Sequence, residues 1–249
     1  FCTMTFEENH RTFTGVSVES MAVTLTSLGV DAIGINCSLG PKEILPIAQK
    51  LSRWTPLPII IKANAGLPNL NSNTYDISAE EFAETMREYL HCGVSIIGGC
   101  CGTTPEHLKR IGELLHICPP AVIFDADRAI EKEDELILAD SKEHYHLYCD
   151  QIECSEPLYC SPDMCDDFLR LEEERIDVIV VEVETVEEAR DFSQNAHFST
   201  LPVSLLSHNE IALRLALLLY TGKALVDSRS SIEEETLSHI AQKYGAIIY

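Results

Sequence analysis

Two adjacent thiols, Cys100 and Cys101, sit inside GGCCGTT, between an apolar run at Val94 to Ile97 and a helical pattern that opens at Pro105. Thiolates are nucleophiles and soft metal ligands. Neighbouring residues on a regular strand face opposite ways, so the pair can serve one target only where the strand has ended. Gly98, Gly99 and Gly102 suit that purpose, because glycine takes backbone angles that other residues resist. A third thiol, Cys37, follows another apolar run in DAIGINCSLG. Taken alone, Cys37 is better explained as a small buried residue beside a turn. Taken with the pair it gives three thiolates; with a fourth position left open, that is the pattern of a catalytic zinc, whereas structural zinc is closed by four protein ligands. Redox use of the pair fits less well, since adjacent cysteines close a strained ring and redox motifs place two residues between them.

The 63 residues from Cys37 to Cys100 are too many for a local zinc finger, so any convergence rests on the elements that carry the thiols. Hydrophobic periodicity predicts a strand-then-helix rhythm. CTMTF is extended, and SVESMAVTLTSLG is an amphipathic helix stopped by glycine. DAIGIN is a strand, followed by the helix PKEILPIAQKLSRW with Pro in its first turn. LPIIIKA is a strand and NAGLPNLNSNTYD a long polar loop. SAEEFAETMREYLHCG is a helix with Ser78 and Glu81 spaced as a capping box. VSIIGG and a helix from about Pro105 to His116 close the series. Such βα units make a parallel α/β sheet with right-handed crossovers.

The residues able to do chemistry all fall just after strands: Thr5 to Glu8, Asn36 with Cys37, Asn64 to Asn69, and Cys100 with Cys101. In a βα barrel those positions form one rim, where active sites sit. Cys37, Cys100 and Cys101 are therefore the expected metal ligands, with Glu7, Asn36 and Asn64 as expected substrate contacts. No side-chain acid or base beyond the metal site is called for.

Composition narrows the classes. The net charge of -22 is unevenly shared: residues 1–118 carry 8 Lys and Arg against 12 Asp and Glu, and the remainder 10 against 28. Such a balance repels phosphate backbones and excludes nucleic acid as the expected partner. No apolar run reaches the roughly 18 to 20 residues that cross a membrane. Ten cysteines in 249 residues is too sparse for a disulfide scaffold, and a reducing cytoplasm with metal or catalytic use for a few thiols is the expectation.

GINCSLGP, ANAGLPN and GGCCGTTPEH, in this order and spacing, resemble the last three βα segments of the zinc-dependent homocysteine S-methyltransferase family, and TFEENHRTFTG resembles the segment before them. The resemblance covers residues 1 to about 117. It implies the C-terminal half of a (β/α)8 TIM barrel, zinc held by Cys37, Cys100 and Cys101, and Asn64 beside the metal. The implied reaction is methyl transfer to the thiol of homocysteine, giving methionine, with cobalamin or folate as a methyl source through other modules. It also implies that upstream sequence or a second copy completes the barrel. The alternative is a degenerate barrel that keeps zinc and acts as a non-catalytic scaffold or partner subunit.

Three segments are expected: 1–118 as the methyltransferase domain, 119–165 as an acidic connector, and 166–249 as a partial α/β domain. The connector holds Cys149, Cys154, Cys160 and Cys165, whose gaps of four, five and four residues are not zinc knuckles. Ordinary thiols are expected there, and solvated His144 and His146. Beyond it the rhythm returns with DVIVVEVE, TVEEARDFSQNA, LPVSLLS, NEIALRLALLLYTG, KALVDSRS and SIEEETLSHIAQKYG. The run from ALRLALLLYTGKALVDS to the end resembles part of a pterin-binding barrel. That family's acidic and asparagine pair is expected on the strand that here reads VVEVE, so tight folate binding is not expected.

Overall fold

The computed structural model describes residues 1–67, 75–118, 121, 132 and 134–249. The later part of the long polar loop and most of 119–133 lie outside the described residues. The chain divides into two compact units, the first drawn from the N-terminal part up to Ile130 and the second running from Glu131 to Tyr249 with Ser27–Gly29.

In the first unit, β1 (Cys2–Met4), β2 (Ile33–Asn36), β3 (Ile59–Ala63) and β4 (Val94–Gly99) form one sheet in that order, every pairing parallel. Each strand leads to a helix: α1 (Val18–Ser27), α2 (Pro41–Leu51), α3 (Ala79–Leu90) and α4 (Pro105–Ile117). This is the parallel βα order that the periodicity predicts, and its four strands match the half-barrel that the family resemblance implies. Ile33, Ile35, Ile59 and Ile61 point from the sheet into a core shared with Ile44, Ile47, Phe82 and Met86 of the helices. Gly34 lets β2 and β3 pack closely, since a methyl there would lie 1.8 Å from the Ile60 carbonyl oxygen. Pro41 opens α2, and Ser78 caps α3 by accepting from the Glu81 amide at 3.2 Å.

In the second unit, β5 (Glu135–Ala139) and β6 (His144–Tyr148) make an antiparallel hairpin. β7 (Leu158–Tyr159), β8 (Ile179–Glu182), β9 (Val203–Leu206), β10 (Leu225–Val226) and β11 (Ile247–Ile248) form a second parallel sheet, again in chain order. Its helices are α5 (Cys165–Glu172), α6 (Val186–Asn195), α7 (Glu210–Leu219) and α8 (Glu234–Tyr244). The segment expected as a connector over 119–165 thus contributes the hairpin and β7 in its described part. A two-residue strand offers no alternation to read, which is why LY in SEPLYC does not announce itself.

Candidate metal centre

Cys37 leaves the end of β2 in the left-handed region, at φ 63°, with Ser38 following at φ 56°. Side chains resist that conformation, so the surroundings must hold it. They do: the Cys37 amide donates to the Lys62 carbonyl of β3 at 2.9 Å, the Leu39 amide to the Cys37 carbonyl at 2.7 Å, and the Asn64 amide to the Leu39 carbonyl at 3.1 Å. The turn after β2 is thereby laced to the turn after β3.

Cys100 and Cys101 are fixed from the same loop. The Cys100 amide donates to Ala63 at 2.8 Å and the Ala65 amide to the Cys101 carbonyl at 2.9 Å. Asn64, only 4% exposed, accepts from the Cys101 amide through Oδ1 at 3.1 Å. Thr103 donates its hydroxyl to the Cys100 carbonyl at 2.7 Å. The three glycines divide their work differently from the sequence expectation. Gly102 alone takes the left-handed region, at φ 79°; Gly98 and Gly99 stay in β4. Gly99 leaves room for the Thr103 side chain, whose Cβ would be 2.6 Å from an added methyl.

The result is a triangle of sulfurs: Cys37 to Cys100 at 3.0 Å, Cys37 to Cys101 at 3.5 Å, and Cys100 to Cys101 at 4.0 Å. All ten cysteines are free thiols. Three thiolates around one tetrahedral zinc, at about 2.3 Å each, stand about 3.8 Å apart, so the donor set and its spacing fit that ion. The hydrogen bond from Cys100 is the first cause that holds the Cys37 thiol below its usual pKa, while burial first and then Cys37 itself push Cys100 up to about 11. Cys100 is thus the donor of the pair, and a cation taking the place of the shared proton would make both sulfurs anionic.

Part of the sequence has counterparts among known proteins. Residues 1–115 match the homocysteine S-methyltransferase family. A methionine synthase of Mycobacterium leprae (strain TN) is 31% identical over 136 residues, 53% of this chain and 11% of that protein. A methionine synthase of Mycobacterium tuberculosis (strain ATCC 25618 / H37Rv) is 35% identical over 114 residues, 45% of this chain and 10% of that protein. The chain thus spans about a tenth of the length of these curated relatives. A solved structure from Aquifex aeolicus VF5 covers 99% of this chain and 92% of its own at 11% identity, with a TM-score of 0.32.

Of the expected substrate contacts, Asn36 ends β2 next to Cys37 and its Nδ2 donates to the Thr5 hydroxyl at 3.5 Å. Asn64 lies against Cys101, as above. Glu7 is exposed in the turn after β1, where its amide donates to the Arg11 carbonyl at 2.8 Å, and it does not join the sulfur cluster. Sequence reasoning missed two members of this region. Tyr75 packs its ring over Gly102, next to Cys101. His107, 8% exposed, accepts from the Thr104 amide through Nδ1 at 3.2 Å, which leaves the proton on Nε2 for the Ile77 carbonyl at 3.1 Å. The signal for His107 was present, as the third residue after a Thr N-cap in TTPEH.

In the second unit, Cys149, Cys154, Cys160 and Cys165 form no three-membered ligand cluster among the described residues. Cys160 instead donates to the Glu182 carbonyl at 3.3 Å and burial pushes its thiol up to about 12. Glu182, Glu184 and His208 do converge, their ligand atoms within 4.8 Å of one another. Here the chain uses the groups itself. Glu184 Oε1 accepts from the His208 amide at 2.6 Å, and His208 Nδ1 accepts from the Ser231 amide at 3.0 Å. A neutral ring with Nδ1 so engaged carries its proton on Nε2, leaving no nitrogen lone pair for a cation.

Proposed function

We propose that the first unit takes part in zinc-dependent transfer of a methyl group to the thiol of homocysteine, giving methionine. The observation that carries this reading is the sulfur triangle of Cys37, Cys100 and Cys101 at the ends of β2 and β4, the parallel strands on either side of β3; the family match over residues 1–115 supports the substrate.

Zinc held by the three thiolates would supply the positive charge that makes a substrate thiol a thiolate at neutral pH, a role that otherwise needs a general base. The rest is positioning. Cys37 is held in a strained turn, Cys101 by Asn64, and Cys100 by Thr103 and Ala63, so the ligands are in place before any substrate arrives. In the transfer the substrate sulfur gains the bond to the methyl carbon, the donor keeps the electron pair of the bond that breaks, and the thiol proton passes to solvent. Asn36 and Asn64 stand at the rim to orient the amino acid, with Glu7 further along it. Cobalamin or folate would supply the methyl group through other modules. The cytoplasm is the compartment that keeps such thiols reduced.

A second reading, that the chain keeps zinc but serves as a scaffold or partner subunit, is favoured by one observation: among the described residues, β1 and β4 each pair on one side only. Completion of the sheet by upstream sequence or a second copy would supply the rest of the rim. The chain purified under reducing conditions should carry close to one zinc by atomic absorption. A folded, reduced sample with none would sink the zinc reading, while zinc without methylation of homocysteine by any of a panel of donors would favour the scaffold.

A further inference from the structure

Ile59, Ile61 and Ala63 of β3 face the helices and fill the first core, so Ile60 and Lys62 between them belong to the opposite face of the sheet. Lys62 is half-buried there. It stands in register with Asn36 of β2 on one side and with Gly98 of β4 on the other. Gly98 has no side chain to crowd it, and the Lys62 Cγ would lie 3.4 Å from a methyl placed on that glycine. One step back along the same face, Ile60 stands in register with Ile96, which makes the approach to the lysine apolar. Most other cations of the first unit are matched within the protein. Lys42 and Lys50 pair with Glu81 and Glu19, and Arg87, Lys109 and Arg110 pair with glutamates on their own helices. Arg53 is exposed to solvent. Lys62 is neither: among the described residues its ammonium has no ion pair and no hydrogen bond.

The place of this charge relates it to the thiols. Asn36 immediately precedes Cys37, Gly98 comes two residues before Cys100, and the Lys62 carbonyl accepts from the Cys37 amide at 2.9 Å. Strands rise about 3.3 Å per residue, so Lys62 lies one to two residues' rise short of the sulfurs, on the face where Asn36 donates to Thr5. A cation partly withdrawn from water is costly without an anion, and one held beside a substrate site is a place for the substrate's own. We propose that Lys62 is a specificity-determining residue that binds the carboxylate of an amino-acid substrate. With its sulfur at the thiol triangle, an amino acid of homocysteine's length can turn its carboxylate down the open face of the sheet toward the ammonium. The assignment rests on the methyl-transfer reading above for its substrate, and on the register of β2, β3 and β4 for its place.

The test compares two thiols on the full, zinc-loaded chain by calorimetry: L-homocysteine, and 3-aminopropane-1-thiol, which has the same sulfur and amine and no carboxylate. The unaltered chain should bind homocysteine the more tightly. Lys62→Met keeps the stem and removes the charge. It should weaken homocysteine about 10- to 100-fold, as loss of a hydrogen bond to a charged group does, while leaving the aminothiol and the zinc content unchanged. Equal loss for both thiols, or none for homocysteine, would overturn the proposal. So would a variant that is less stable in urea but keeps the preference, since the charge would then serve a carboxylate of the protein. If Lys62→Met does not fold, the unaltered chain still decides, because equal affinity for the two thiols overturns the assignment. A titration in chelator separates this from failure of the zinc reading. L-2-Aminobutyrate, an amino acid without the sulfur, should bind the metal-free chain weakly, and Lys62→Met or Lys62→Gln should abolish that binding. A chain that takes up no zinc but shows this dependence on Lys62 overturns only the zinc reading, whereas carboxylate binding indifferent to Lys62 overturns the assignment whatever the metal result.

Discussion

Cys37 and Cys92 are both half-buried or buried thiols of the first unit, yet their surroundings assign them opposite roles. Cys37 sits at φ 63° with its sulfur 3.0 Å from Cys100. Cys92 follows α3 at the other end of the unit, 9% exposed, donating to the Tyr89 carbonyl at 3.3 Å, with burial pushing its thiol up to about 11. Removing one of three ligands should cost orders of magnitude in metal affinity, since site binding energies of about 10 to 16 kcal/mol are shared among few ligands. Cys37→Ser should therefore abolish stoichiometric zinc, measured by atomic absorption, and thiol methylation with it. Cys92→Ser should keep both and lose about 1 to 2 kcal/mol of stability. The reverse outcome would mean that the strand ends do not form the site. At this scale the three cysteines were legible because residue type and post-strand position coincide. The left-handed Cys37 and the packing of Tyr75 on Gly102 were not: the Cys37 turn is held by its hydrogen bonds with Lys62 of β3 and Asn64 beyond it, and the tyrosine falls in a polar stretch that carries no periodicity.

Elements set how rigidly those residues are presented. The periodicity placed β1 to β4 and α1 to α4 in order because their apolar residues alternate or recur at helical spacing, and because Ser78 and Pro41 mark helix starts. It did not show what joins α4 to the segment just before α3. His107 does this, receiving from Thr104, donating to Ile77 and presenting its ring edge-on to Phe82 at 5.4 Å and 81°. His107→Ala leaves a helix-start amide and a carbonyl without partners, and it removes packing next to a fully buried ring. A loss of about 2 to 3 kcal/mol in urea unfolding is expected, with the denaturant slope unchanged. Run in chelator, the experiment reads the cap and not the metal. An unchanged midpoint would show that Thr104 and Ile77 find other partners. In the second unit β7, two residues long, was the least legible element, since its existence depends on the parallel neighbour β8 and not on its own sequence; β10, equally short, was legible in KALVDSRS.

At the scale of the molecule, the sequence separates a nearly neutral N-terminal part from a strongly acidic remainder, and the structure gives each unit a core of its own. Phe82 and Met86 belong to one cluster, with Ile33 and Ile61; Phe192 belongs to the other, with Val181, Leu205 and Leu213. Where one unit ends was harder to read than that there are two, because the charged stretch after Cys118 hides a hairpin with little periodicity. Separate cores make a distinct expectation for unfolding. The chain's one tryptophan, Trp54, packs against the first core, so its fluorescence reports that unit, while far-ultraviolet circular dichroism reports both. Truncating a fully buried phenylalanine costs about 3 to 5 kcal/mol. Phe82→Ala should shift the fluorescence transition in urea to lower concentration by that amount. Phe192→Ala should leave fluorescence in place and move only the part of the circular dichroism change that fluorescence does not follow. If Phe192→Ala instead moves the tryptophan signal as far as Phe82→Ala does, the units unfold as one, and the two cores are coupled in a way that their separate packing does not supply.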